Sequence, residues 1–157
     1  KIELQTTIKA PIERVFNLSR SIDLHKISTE KTKEVAIAGR TSGLILFGES
    51  VTWRAKHLGV TQILTSKITE FNFPILFVDE MQKGIFKSFR HEHHFKIINE
   101  TETLMIDYFN YKSPLGFIGE IVDFLFLKIY MKKFLKERNI IIKEFAETDK
   151  WKLVLKD

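Results

Sequence analysis

The 157-residue chain contains no cysteine. That excludes disulfides, thiolate metal sites and cysteine nucleophiles, and it fits a reducing, cytoplasmic setting. Only three prolines and seven glycines punctuate the chain, and no stretch is repetitive, low-complexity or linker-like. Phosphate loops, a GxSxG elbow, a dinucleotide fingerprint and HExxH are all missing, so serine-nucleophile, nucleotide-dependent and zincin chemistry have no support. No apolar run reaches the roughly 20 residues that span a bilayer. The first residues enter a strand pattern at once instead of an apolar leader.

What is present is ordinary in bulk, with 44% hydrophobic and 29% charged residues. The length suits one domain, 1–157, with a sizeable core. Fourteen phenylalanines suit a divided cavity as well as a solid interior. A net charge of +5 is modest. It permits peripheral contact with an anionic membrane and gives no reason to expect specific nucleic-acid binding.

Alternation marks the strands. Ile2, Leu4, Thr6 and Ile8 alternate with polar residues, and Ala10-Pro11 ends that strand. Ile12, Val15, Phe16 and Ser19 follow at helical spacing, so Pro11–Ser19 is a short helix with proline in its first turn. Residues 21–25 make a second helical turn, and 27–33 read as a polar loop. Strands are predicted over 34–38, from Glu49 through Val51, Trp53 and Ala55 to His57, over 60–71, over 75–83 and over 103–111. Ser113 caps and Pro114 opens a long helix that runs to about Glu147. Trp151–Leu155 adds a short strand or simply packs.

The most informative stretch is Phe86–Ile98, FKSFRHEHHFKII. Every second residue of a strand shares a face. Phe89, His91, His93, Phe95 and Ile97 fall on one face. Ser88, Arg90, Glu92, His94 and Lys96 fall on the other. The second set is wet; the first is an apolar face interrupted by two imidazoles, which argues for a partly polar interior. Two histidines at i and i+2 could share a metal with Asp79 or Asp107. However, His-x-His is a weak pattern and His94 points the other way. Neither a metal nor a cofactor is expected.

Strands joined by short turns pair antiparallel, and the helices then gather on one side in an α+β arrangement. A long helix in the concavity of a curved sheet encloses a cavity. The inward faces collect Glu49, Trp53 and His57; Phe77, Asp79 and Met81; His91 and His93; and Met105, Asp107 and Phe109. These acids and imidazoles form a buried hydrogen-bond network, orient a ligand, or serve as general acid and base. Trp53 reads as core or cavity wall, Tyr108 and Tyr111 as packing or rim. The helix is apolar nearly all round from Phe117 to Met131, so its second side needs the short helices, a second copy of the chain in a homodimer, or lipid. Lys128, Lys132 and Lys136, with Lys133 and Arg138 nearby, form a solvated face or meet anionic lipid heads.

The opening strand with Ala10-Pro11, Val15-Phe16 and Ile22 resembles the start of the helix-grip superfamily. That superfamily includes START domains, the Bet v 1 allergen and polyketide cyclase/dehydrase-like proteins. Gly48-Glu49, the run 51–57 (VTWRAKH), 77–81 (FVDEM), Lys83-Gly84, Phe86, His91-Glu92-His93 and Ser113-Pro114-Leu115-Gly116 are similar to a bacterial subgroup of SRPBCC-type proteins. The resemblance covers essentially the whole chain. It implies the helix-grip fold: about six to seven antiparallel strands gripping a long C-terminal helix, with two short helices after the first strand. It also implies a cavity for a hydrophobic or amphipathic small molecule. It brings no catalytic motif, and a fold does not fix chemistry.

The expected ligand-binding set is Glu49, Trp53, His57, Phe77, Asp79, Met81, His91, His93, Met105, Asp107 and Phe109, with Phe117 and Ile121 from the helix. Binding or transport is the leading expectation. The alternatives are a cyclase, dehydratase or hydrolase using a His–acid pair, and a regulatory domain that engages partners through the helix surface.

Overall fold

The computed structural model describes residues 1–57, 59–113 and 126–155. Seven strands form one antiparallel sheet: β1 (Ile2–Ile8), β2 (Val35–Gly39), β3 (Ser50–His57), β4 (Val60–Asn72), β5 (Leu76–Lys83), β6 (Ser88–Asn99) and β7 (Glu102–Lys112). Their spatial order is β1-β7-β6-β5-β4-β3-β2, so a six-strand meander is closed by β1 docking on β7. Two short helices, α1 (Ile12–Ser19) and α2 (Ile22–Ser28), follow β1, and a long helix, α3 (Lys128–Glu147), follows the sheet. α3 packs on β1, α1 and α2. This is the α+β arrangement that the alternation predicts and the helix-grip architecture that the resemblance implies.

Local chemistry sets the element ends. Pro11 stands one place earlier than expected, as an extended N-cap of α1 rather than inside its first turn. Ser21 caps α2 by accepting a hydrogen bond from the Leu24 amide at 3.2 Å. Gly39 ends β2 with φ +73°, and a Cβ there would stand 2.1 Å from the Ser50 carbonyl oxygen, so only glycine fits. The 27–33 segment is not all loop: α2 reaches Ser28 and a 3-10 turn covers Glu30–Thr32. The tail forms a 3-10 turn, Asp149–Leu153, instead of a strand, because the Thr148 hydroxyl accepts from the Lys150 amide and starts a new turn. Its Trp151 ring carries the Arg14 guanidinium 4.5 Å from the ring centre.

The interior is two apolar clusters separated by a polar layer. One cluster centres on the fully buried Phe16. Phe71, Phe73, Phe77 and Phe95 ring it at 5.1–5.4 Å between centroids. Met105, Ile142 and Phe145 complete that solid end. The other cluster holds Ile2, Phe89, Phe109, Met131 and Leu135. Between them, β6 places His91 and His93, β7 places Asp107, and α3 places Arg138 and Asn139, all buried. A Phe-His-His-Phe strand face beside a Met-Asp-Phe strand face produces such a layer directly, because Phe95 pairs with Met105, His93 with Asp107 and His91 with Phe109.

Candidate functional site: a cavity between two polar clusters

Asp107 is the centre of the layer. Its side chain is 1% exposed, and a carboxylate can be buried so only with partners. His91 Nε2 lies 3.0 Å from Oδ1, and Asn139 Nδ2 donates to Oδ2 at 2.6 Å. His93 Nδ1 stands 2.8 Å from Oδ1, though off the direction in which the ring N–H would point. Arg138 Nη1 is 3.9 Å from Oδ1, while its Nη2 donates to the Ser19 carbonyl at 2.9 Å. On the cavity side, His93 Nε2 is 3.5 Å from Asp79 Oδ2.

Burial would push the Asp107 carboxyl up, but its two histidine partners hold it well below the usual range. The imidazoles lie 3.8 Å apart, so they do not share charge equally. Burial, and then the neighbouring His93, lowers His91. For His93, burial is outweighed by Asp107 and Asp79, and the pKa rises. The layer therefore favours one imidazolium, at His93, between two carboxylates.

Beyond this floor is a cavity of about 280 Å³. Its wall is largely apolar: Ala55, Leu64, Phe89, Phe109, Met131 and Leu135 are representative. A second polar cluster faces it from the residue before β2, from β3 and from the helices. Glu34 accepts from His25 Nε2 at 2.6 Å and pairs with His57 Nε2 at 3.3 Å. His57 Nδ1 lies 2.8 Å from the Tyr130 hydroxyl. His25 also stacks on Trp53, 4.2 Å between ring centres. Burial pushes Glu34 up, yet hydrogen bonds from His25 and His57 bring its pKa down to about 2. Burial, with Glu34 nearby, raises the Tyr130 hydroxyl. In neutral solution the chain Tyr130–His57–Glu34 thus has an acid at one end and a carboxylate at the other.

Of the residues expected at the site, Trp53, His57, Asp79, His91, His93 and Phe109 line this cavity. Asp107 lies beneath it, holding the histidines. Phe77 stacks on His93 at 4.2 Å and belongs with Met105 to the solid cluster. Met81 packs at the edge of the other cluster. Glu49 is brought to neither polar cluster. β3 begins only at Ser50, so Glu49 stays in the preceding turn. There it accepts from Arg40 at 2.7 Å and from the Leu46 amide at 2.8 Å. Phe117 and Ile121, with most of the apolar 117–131 run, lie outside the described residues. Arg138, grouped by sequence with the surface lysines, is instead 5% exposed and faces the cavity. His94 pairs with Glu92 at 3.0 Å on the outer face, as the alternation requires.

His25, Glu34, Tyr130, Arg138 and Asn139 were missed by sequence reasoning. A signal existed for the last two. Met131, Leu135, Ile142 and Ala146 are buried at helical spacing, and Arg138 and Asn139 occupy the same stripe. They are the helical counterpart of His91 and His93.

No family model matches the chain, and no curated protein matches it in sequence. Solved structures do. A START superfamily protein from Mycobacterium smegmatis superposes with TM-score 0.71 at 11% identity, over 93% of this chain and 96% of its own. Ginseng major latex-like protein 151 from Panax ginseng gives 0.69 at 17% identity, over 94% and 97%. The di-domain ARO/CYC StfQ from the steffimycin biosynthetic pathway gives 0.63 at 11% identity, over 96% of this chain and 46% of its own. The chain thus has the helix-grip fold of the START and Bet v 1-like proteins. Among the described residues, no helix is long and apolar enough to cross a membrane.

Proposed function

We propose that this protein binds a hydrophobic or amphipathic small molecule inside the sheet–helix cavity. The observation that carries the reading is the cavity itself: about 280 Å³ of space, mostly apolar in its wall, with polar groups gathered in two places. Such sites bury the body of a ligand and orient it through a few polar contacts. Arg138 and His93 lie at one end and His25, His57 and Tyr130 at the other, so a guest with oxygen functions is favoured over a pure hydrocarbon. The fold is shared with a START superfamily protein and an ARO/CYC, which is consistent with this use.

The test is native mass spectrometry of gently purified protein, paired with titration of an anilinonaphthalene sulfonate dye. A retained small molecule, or dye binding that Ala55→Phe weakens several-fold, is expected. Ala55 lines the cavity and is 7% exposed, so the larger ring fills space without removing a polar group. Clean spectra from several preparations, with dye binding absent or indifferent to Ala55→Phe, would sink the reading.

A second reading, catalysis, is favoured by the 2.8 Å contact between Tyr130 and His57. There Tyr130 exchanges a proton with a ligand oxygen, His57 takes or returns it, and Glu34 holds the imidazole. Tyr130→Phe should then abolish conversion of a co-purified compound while leaving its binding intact. A third feature concerns the membrane expectation: Lys128, Lys132, Lys133 and Lys136 are exposed beside exposed Phe126 and Ile129, an arrangement compatible with anionic lipid heads.

A further inference from the structure

Against the expectation from the sequence, we infer that Asp79, His91 and His93 form a binding site for one divalent transition-metal ion at the floor of the cavity. Among the described residues these three are the one set whose ligating atoms all lie within 4.8 Å of one another. All three line the cavity, so an ion there would keep open positions toward a guest.

The first support is a distance. His93 Nε2 and Asp79 Oδ2 are 3.5 Å apart, too long for a good hydrogen bond. Two ligands of one tetrahedral ion with bonds of about 2.0–2.1 Å stand roughly 3.3 Å apart. The pair is thus close to the spacing an ion imposes.

The second support is the surroundings. Metal-bound histidines donate their far ring N–H to a carboxylate, a backbone carbonyl or water, which fixes the ring and raises its basicity. Here one carboxylate, Asp107, lies 3.0 Å from His91 Nε2 and 2.8 Å from His93 Nδ1. That leaves His91 Nδ1 and His93 Nε2 as the nitrogens available to an ion. Asn139 in turn fixes Asp107 Oδ2. His91 meets this acid through Nε2 and His93 through Nδ1, so a single carboxylate stands beside the nitrogen of each ring that an ion would not use.

The third support is rigidity. The ligands sit on adjacent strands, with Asp79 paired directly to His91, so their backbones are held by the sheet. Two nitrogens and one oxygen suit zinc, cobalt(II) or iron(II).

The test is titration of the metal-free protein with cobalt(II), followed by visible absorption and proton NMR, with zinc affinity by calorimetry. One ion per chain is expected. Two exchangeable histidine N–H signals should shift far outside the ordinary range, from the nitrogens facing Asp107. Asp79→Asn and His93→Gln should weaken zinc binding at least tenfold. His94→Gln, on the outer face, should leave it unchanged. The NMR readout needs no variant and survives any failure of His93→Gln to fold. An absent cobalt spectrum would overturn the site, and so would binding that both variants leave intact, which marks an adventitious ion only. These readouts use no organic guest, so they fail or succeed independently of the small-molecule reading.

Discussion

Asn139 on α3 donates to Asp107 on β7 across 2.6 Å, and this contact helps tie the long helix to the centre of the sheet inside the protein. Asp107→Ala would remove the acceptor of the Asn139 amide and of His91, and a counter-charge beside His93 and Arg138, in a buried layer. Removing one partner of such a set costs about 3–5 kcal/mol. Asn139→Ala leaves the carboxylate its other partners and should cost about 1–3 kcal/mol. Urea denaturation midpoints of the two variants measure both numbers. Equal, near-zero losses would mean the layer does not hold helix to sheet.

Acid stability should report Glu34. Its folded pKa is lowered from 4.5 to about 2, so the unfolded chain binds the proton more readily. The stabilisation is complete above about pH 4.5 and is lost as pH falls toward 2. A shift of that size corresponds to about 3 kcal/mol. Denaturation of wild type and Glu34→Gln between pH 6 and pH 2 should show curves that differ at pH 6 and converge on acidification. Parallel curves would remove Glu34 as the cause.

Phe16→Ala should lower stability by about 3–5 kcal/mol, the range for emptying a buried aromatic site. Phe16 is fully buried among Phe71, Phe73, Phe77 and Phe95, on the far side of the polar layer from the cavity. Dye affinity of the protein that remains folded should therefore stay within twofold of wild type. A larger change would show that the layer transmits packing changes to the cavity.

Gly39→Ala tests the β2–β3 junction. A left-handed residue other than glycine costs roughly 1–2 kcal/mol, and here the new Cβ would also meet the Ser50 carbonyl at 2.1 Å. A loss above about 2 kcal/mol is expected by thermal or urea unfolding. A loss below 1 kcal/mol would mean the junction relaxes freely.

Much of the fold was legible because alternation is a local property. The faces of β6 and β7 followed from period two, and with them His91, His93 and Asp107. Glu49 was misplaced by extending β3 one residue too far, where a side chain still serves the turn. Glu34 and His25 could not be found that way. They meet His57 and Tyr130 only because α2, β2, β3 and α3 converge, and no spacing along the chain encodes that encounter. Arg138 and Asn139 were overlooked for a different reason: charged and amide residues on a lysine-rich helix read as solvated, although their spacing from Leu135 and Ile142 puts them on the inward stripe.

The layer of His91, His93, Asp107, Arg138 and Asn139 works as a bulkhead. It seats the helix from within and closes off the phenylalanine-packed end, so the chamber beyond it is free of that duty. Leu64, Phe89, Met131 and Leu135 can then be recut in size and shape, altering which guests fit while the helix stays in place.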